Sequence, residues 1–242
     1  MTRPLLRLLH TSDVHIGDDG RAERRLEGLR GVVDAALANE VDALLVVGDL
    51  FDSARVLPEQ VEQTLEQLAR LEVPAVVVPG NHDQLESPSI YDRVRLHDAG
   101  EHVHFLDDPQ GAELRLDAGL RIWNRATYDH SPEFRPLSGY AGDGGGWQVV
   151  LAHGHYVPDG EPSHRSSVIR QSEISALGCD YLAMGHWHRY FDASSGGVPA
   201  YYCGSPSEEG SSFASANLVT LDPALGVRVE RVRLSPVPAQ NA

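Results

Sequence analysis

Apolar residues in this chain gather into short runs, and most of these runs end on a histidine, an aspartate or an asparagine. Leu5 to Leu9, Ala43 to Val47, Ala75 to Val78, Gln148 to Leu151 and Tyr181 to Met184 read as strands buried on both faces. Between the first three the spacing turns helical. Ala22 to Asn39 carries Leu26, Leu29, Val33, Ala36 and Leu37 on one side, and Pro58 opens a stretch whose Val61, Leu65, Leu68 and Leu71 form a stripe. Strand, helix, strand, helix, strand predicts a parallel sheet with crossover helices. Ser87-Pro88 reads as an N-cap and first-turn proline, which predicts a third helix running to about Asp98.

The middle of the chain has a different texture. Val103 to Leu106, Glu113 to Leu116 and Leu120 to Trp123, separated by Asp-Pro and Asp-Ala-Gly turns, predict antiparallel meanders. Thr127 to Gly146 predicts a long surface loop in which Tyr128, Asp129 and His130 take structural roles. Arg165 to Leu177 has helical spacing through Val168, Ile169, Ile174 and Leu177. Ala200 to Cys203, Asn217 to Leu221 and Val227 to Leu234 would finish a second sheet. A single catalytic domain over residues 1–235, with a loose tail at 236–242, accounts for the length.

In parallel α/β sheets, ligands collect beyond the carboxyl ends of the strands. There this chain places Asp13 and His15, then Asp49, then Asn81 with His82 and Asp83, then His153 with His155, and finally His186 and His188. Imidazole, carboxylate and amide donors without a thiolate suit Mn, Fe or Zn better than Ca or an all-oxygen Mg site, and Mn is the expected ion. Two such ions roughly 3.5–4 Å apart clamp a phosphoryl group, and a bridging water becomes hydroxide for in-line attack. Asp49 has two oxygens with which to bridge them. His82 is placed to assist the leaving oxygen. Asp52 and Asp83 are expected to hold imidazoles in the right tautomer, with His155 as a further neighbour of the site. His10, His97, His102, His104, His130 and His164 match no motif and are expected mostly at the surface, Trp187 as packing, and Arg21, Arg24 and Arg25 as a solvated helix face.

Charge narrows the picture. Twenty basic residues, all of them arginine, against 35 acidic ones leave a net charge of −15, which disfavours an autonomous grip on long nucleic acid. Cys179 and Cys203 read as small buried hydrophobes rather than a disulfide framework. No apolar run approaches the roughly 20 residues that span a bilayer, and the N-terminus lacks a signal-peptide core, so a cytoplasmic protein without a membrane partner is expected.

The ordered set Asp13-Val14-His15, Gly48-Asp49, Gly80-Asn81-His82-Asp83, His153 and Gly185-His186-Trp187-His188 resembles the signature of the calcineurin-like metallophosphoesterase superfamily. That resemblance implies a four-layer α-β-β-α sandwich of two mixed sheets flanked by helices. It also implies one metal on Asp13, His15, Asp49 and His188, a second on Asp49, Asn81, His153 and His186, and His82 as the catalytic histidine. Leu9 to Gly17, Gly48 to Asp52, Asp180-Tyr181 and Gly204-Ser205-Pro206 are similar to the DNA-repair exonuclease branch, which includes the nuclease subunit of bacterial SbcCD. Measured against that branch, the residues after His188 would complete the sheet without a DNA-capping domain or a segment that docks an ATPase. The expected activity is hydrolysis of a phosphodiester, small or nucleotide-like. DNA cleavage with a partner ATPase and a non-catalytic metal-bearing scaffold are the alternatives.

Overall fold

The computed structural model describes residues 3–17, 20–117, 119–142, 144–207 and 213–234. Two six-stranded mixed sheets face each other. In the first, β1 (Leu6–Thr11), β2 (Ala43–Val47), β3 (Ala75–Val78) and β4 (Val103–Phe105) run parallel. In the second, β6 (Leu120–Asn124), β7 (Trp147–His153), β10 (Tyr181–Gly185) and β12 (Ala200–Cys203) are parallel, with antiparallel β5 (Ala112–Leu116) and β11 (Tyr190–Asp192) at the two edges. β8 (His155–Val157) and β9 (Val168–Arg170) form a small parallel pair apart.

Period-two alternation explains why the central strands read as unbroken apolar runs. Ala43, Leu45 and Val47 point between the sheets with Val76, Val78, Val149, Leu151 and Ala183. Leu44 and Val46 point the other way, against Leu29, Val33, Val61 and Leu68 of α1 (Ala22–Ala38) and α2 (Pro58–Leu68). On the far side of the second sheet, Val150, Leu182 and Met184 meet Ile174 of α3 (Gln171–Ala176). The four layers are therefore present, the outer one thin. Among the described residues no helix is long and apolar enough to cross a membrane.

Several elements differ from expectation. The stretch after Ser87-Pro88 forms two 3-10 turns, Ile90–Asp92 and Leu96–Ala99, in place of a helix. Ser89 Oγ takes the Tyr91 amide, while the Asp92 carboxylate takes the Ser87 hydroxyl and the Ser89 amide; such side-chain bonds compete with helical ones. Within 165–177 only α3 is helical, because β-branched Val168 and Ile169 pair with β8. β4 joins the first sheet parallel to β3, so only β5 and β6 make the expected antiparallel pair. Of the C-terminal strands, β12 enters the second sheet, whereas β13 (Ser215–Asp222) and β14 (Gly226–Arg233) extend the first, β13 lying antiparallel on β1. The expected tail at 236–242 lies outside the described residues.

Candidate metal centre

Strand ends from both sheets meet at one point. The loop after β1 zips onto the loop after β2: the amides of Asp13 and His15 donate to Gly48 O at 3.1 Å and Asp49 O at 2.9 Å. His153, closing β7, donates from Nδ1 to Val47 O at 3.0 Å and so ties the second sheet to the first. Gly185 permits this approach, since a Cβ there would lie 1.9 Å from Val47 O. Asp13, His15 and Asp49 adopt φ of 56°, 57° and 54°, and His186 adopts 102°. Left-handed backbone costs residues with side chains about 1–3 kcal/mol each, so its concentration here marks a geometry held by the surroundings.

All seven residues of the expected ligand set come together, in two groups. His15 Nε2 lies 3.1 Å from His188 Nε2, with Asp13 Oδ1 3.7 Å from the latter. Asn81 Oδ1 lies 3.0 Å from His153 Nε2 and 2.8 Å from His186 Nδ1. Asp49 Oδ2 stands between the groups, 3.2 Å from His153 Nε2 and 3.7 Å from His15 Nε2. Tautomers are set from behind. The Nδ1 protons of His15 and His153 face Asp52 Oδ1 and Val47 O, so the Nε2 lone pairs of the neutral rings point inward at other lone pairs. Such an arrangement repels itself unless positive charge sits among the donors. The donor set therefore fits a pair of divalent cations.

Electrostatics lead the same way. Burial opposes a charge on His153, yet the adjoining Asp49 carboxylate, with Asp13 behind it, raises the imidazole to about 10. Burial likewise opposes ionisation of Asp49, and His153 overrides it to hold that carboxyl well below the ordinary range. Burial and then the His153 charge push His186 down to about 3. Burial also lowers His15, against the pull of Asp49 and Asp13. In the metal-free protein a single proton on His153 thus occupies the place of cationic charge, and cations entering the site displace it.

The supporting shell is where the sequence reading needs amendment. Asp52 does hold an imidazole, that of His15 at 3.1 Å, and its backbone oxygen accepts His82 Nδ1–H at 3.1 Å. Asp83 serves backbone instead. Its carboxylate accepts the amides of Gly80, Asp49 and Phe51 at 2.6, 3.2 and 3.2 Å and the Tyr91 hydroxyl at 2.8 Å. Burial, then the Asp49 charge, raises Asp83 to about 6 despite those bonds. Arg25 is not on a solvated face: it is 4% exposed, donates to His15 O at 2.6 Å and lies 3.7 Å from Asp52 Oδ1. No helical-wheel signal separates it from Arg24, because the wheel cannot say that a carboxylate waits on the inner side. His82 is largely exposed, with its amide on Asp49 Oδ1 at 2.8 Å. His130 reaches the Asn81 carbonyl at 3.1 Å, and the amides of Leu85 and Glu86 donate to Thr127 O and Tyr128 O, so the long loop rests on the Asn81 turn. His155 accepts the indole proton of Trp187 at 3.0 Å, and Trp187 stacks on Tyr202, which makes the indole packing as expected. His10, by contrast, is fully buried.

Known proteins can be set beside this geometry. The family model for calcineurin-like phosphoesterases matches residues 6–190. SbcD, one of the two components of the SbcCD nuclease of Escherichia coli, is 28% identical over 249 residues, covering 83% of this chain and 60% of its own. The DNA double-strand break repair protein Mre11 of Methanopyrus kandleri is 25% identical over 230 residues, covering 83% of this chain and 49% of its own. The chain thus spans about half the length of the curated relatives it matches. A solved dimetal phosphatase from Danio rerio, 12% identical, shares the fold with a TM-score of 0.59 over 96% of this chain and all of that one.

Proposed function

From its membership of the calcineurin-like phosphoesterase family, which makes the chain a metal-dependent phosphoesterase, we propose that it hydrolyses phosphodiesters with two divalent ions, Mn in the first instance. Asp13, His15, Asp49 and His188 would hold one ion, and Asp49, Asn81, His153 and His186 the other. The observation that carries this reading is the Asp49 carboxylate, one oxygen of which stands between a His15 and a His153 nitrogen at 3.7 and 3.2 Å. When bound, the ions supply neutralising charge for the phosphoryl group and an activated water.

The chain's own residues do the rest. Asp52 and Val47 O orient the His15 and His153 rings, so that binding cations costs little reorganisation. His82 lies at the exposed rim beside Asp49. Its Nδ1 proton is committed to Asp52 O, which sets the ring plane and leaves Nε2 to pass a proton to the departing ester oxygen. The names of the two nuclease relatives favour a second reading, cleavage of DNA.

Protein loaded with Mn²⁺ is assayed on bis(p-nitrophenyl) phosphate, p-nitrophenyl phosphate, a cyclic nucleotide and linear DNA. Fastest turnover on a small diester supports the proposal, fastest turnover on DNA favours the nuclease, and two bound ions without turnover on any substrate would overturn both.

A further inference from the structure

Beyond the metal centre, two cavities of about 370 and 380 Å³ share one wall residue, His155. The nearer opens onto His186 and His188 and is bounded by Trp187 and Arg189; the farther is lined by the 156–165 segment, with Arg165 and Glu161 on it. Each is of the size that takes a small organic group. The walls are braced. Arg170 donates to Pro158 O at 3.2 Å and Glu161 O at 2.5 Å, and Asp159 accepts both the amide and the hydroxyl of Ser172.

The lining is electrically unlike the rest of the chain. Its fixed charges are Arg165 and Arg189 against Glu161, whereas the whole sequence has 20 basic to 35 acidic residues. The Arg189 guanidinium lies 4.9 Å from the Trp187 ring centre, which steadies a cation at the rim nearest His188. Trp187 is not a stacking platform for an aromatic ligand, because Tyr202 stacks on it at 4.8 Å while Phe191 and His155 pack against it. Since the indole proton goes to His155 Nδ1, a neutral His155 carries its own proton on Nε2 and is a donor there.

We propose that this pair of cavities binds the organic arm of a phosphodiester that carries a second phosphate, with Arg189 and Arg165 neutralising that phosphate and His155 donating to the arm. The proposal rests on the phosphodiesterase reading and adds a substrate class to it. Arginine suits the task because its planar fork meets phosphate oxygens two at a time.

The test compares two chromogenic diesters: the p-nitrophenyl ester of thymidine 5′-monophosphate and the same ester of thymidine 3′,5′-bisphosphate. They differ only in the second phosphate. With Mn²⁺-loaded protein, the bisphosphate is expected to have a kcat/KM about tenfold higher, the worth of one charge-assisted hydrogen bond. Arg189→Gln and Arg165→Gln should each bring that ratio towards one, and Glu161→Gln should raise it; a ratio cancels any general loss of activity. Calorimetry should show thymidine 3′,5′-bisphosphate binding more tightly than the 5′-monophosphate by a similar factor. A propane-1,3-diol arm should give the same gain if the phosphate is what is read, and a gain confined to the thymidine arm would overturn the anion site in favour of nucleoside recognition. A ratio near one in the unmodified protein, or one that none of the three variants moves, also overturns it. Failure to hydrolyse either ester counts against the phosphodiesterase reading instead.

Discussion

His82 and Arg25 approach Asp52 with different duties. His82 uses the Asp52 backbone oxygen to set its ring and remains exposed, whereas Arg25 is buried between the Asp52 carboxylate and the His15 carbonyl. Replacing His82 with Ala should therefore lower kcat on a diester by about 10²- to 10⁴-fold, the usual worth of a positioned acid. Metal analysis of that variant should still find the unmodified protein's content, and loss of metal would remove the role assigned to His82. Arg25→Met acts from behind. It leaves Asp52 without its buried cation and the left-handed His15 without its anchor, so we expect a loss of about 3 kcal/mol by denaturant unfolding. It should also weaken Mn²⁺ binding about 10- to 100-fold at the ion held by His15, as measured by calorimetry, while the ion on His153 and His186 is less affected. Equal weakening of both ions would mean that Arg25 supports the fold without orienting His15.

At the scale of elements, the centre exists because loops from different sheets come within contact distance. β10 ends on Gly185 against Val47 O, and β7 ends on His153 bonded to the same carbonyl. Gly185→Ala puts a methyl 1.9 Å from Val47 O and 2.7 Å from His153 Nδ1, neither of which is a flexible side-chain tip. The end of β10 must then retreat, carrying His186 away from Asn81 and its amide away from Asp13. Overpacking of this kind costs about 1–3 kcal/mol. The expected outcome is a lower melting temperature together with loss of the ion that His186 would share. A variant that melts normally and binds both ions would show that the close approach is dispensable.

Across the whole molecule, the two sheets are joined by a polar bond as well as by apolar packing. His10 of β1 is fully buried and its Nδ1 lies 2.8 Å from the Tyr181 hydroxyl of β10. Burial lowers its pKa from 6.5 to about 3. A histidine depressed in the folded state contributes stability that is complete above its unfolded value and is lost as pH falls towards the folded one. For His10 the window runs from 6.5 down to about 3, at about 1.4 kcal/mol per pH unit. Melting curves of the metal-free protein should fall steeply below pH 6.5. His10→Asn, though less stable at neutral pH, should show a shallower acid limb, and an equally steep limb would place the acid sensitivity elsewhere.

Local pattern alone determined the central strands and the chemistry at their ends. A strand covered on both faces must be apolar throughout, so β2 and β3 were legible to the residue, and donors such as Asp49 and His153 stand out because polarity returns abruptly where those strands stop. Pairing partners were not legible. Nothing in the alternation of Asn217 to Leu221 says that β13 will lie against β1 rather than the second sheet, and nothing around Val103 says that β4 will run parallel to β3. The same limit governs the buried polar residues. Arg25 among helix arginines, Asp83 serving the backbone of its own and a neighbouring loop, and His10 reaching Tyr181 take their roles from partners far along the chain. Only tertiary structure brings those partners within hydrogen-bonding distance, because a buried polar group is defined by what it meets and not by its neighbours in sequence.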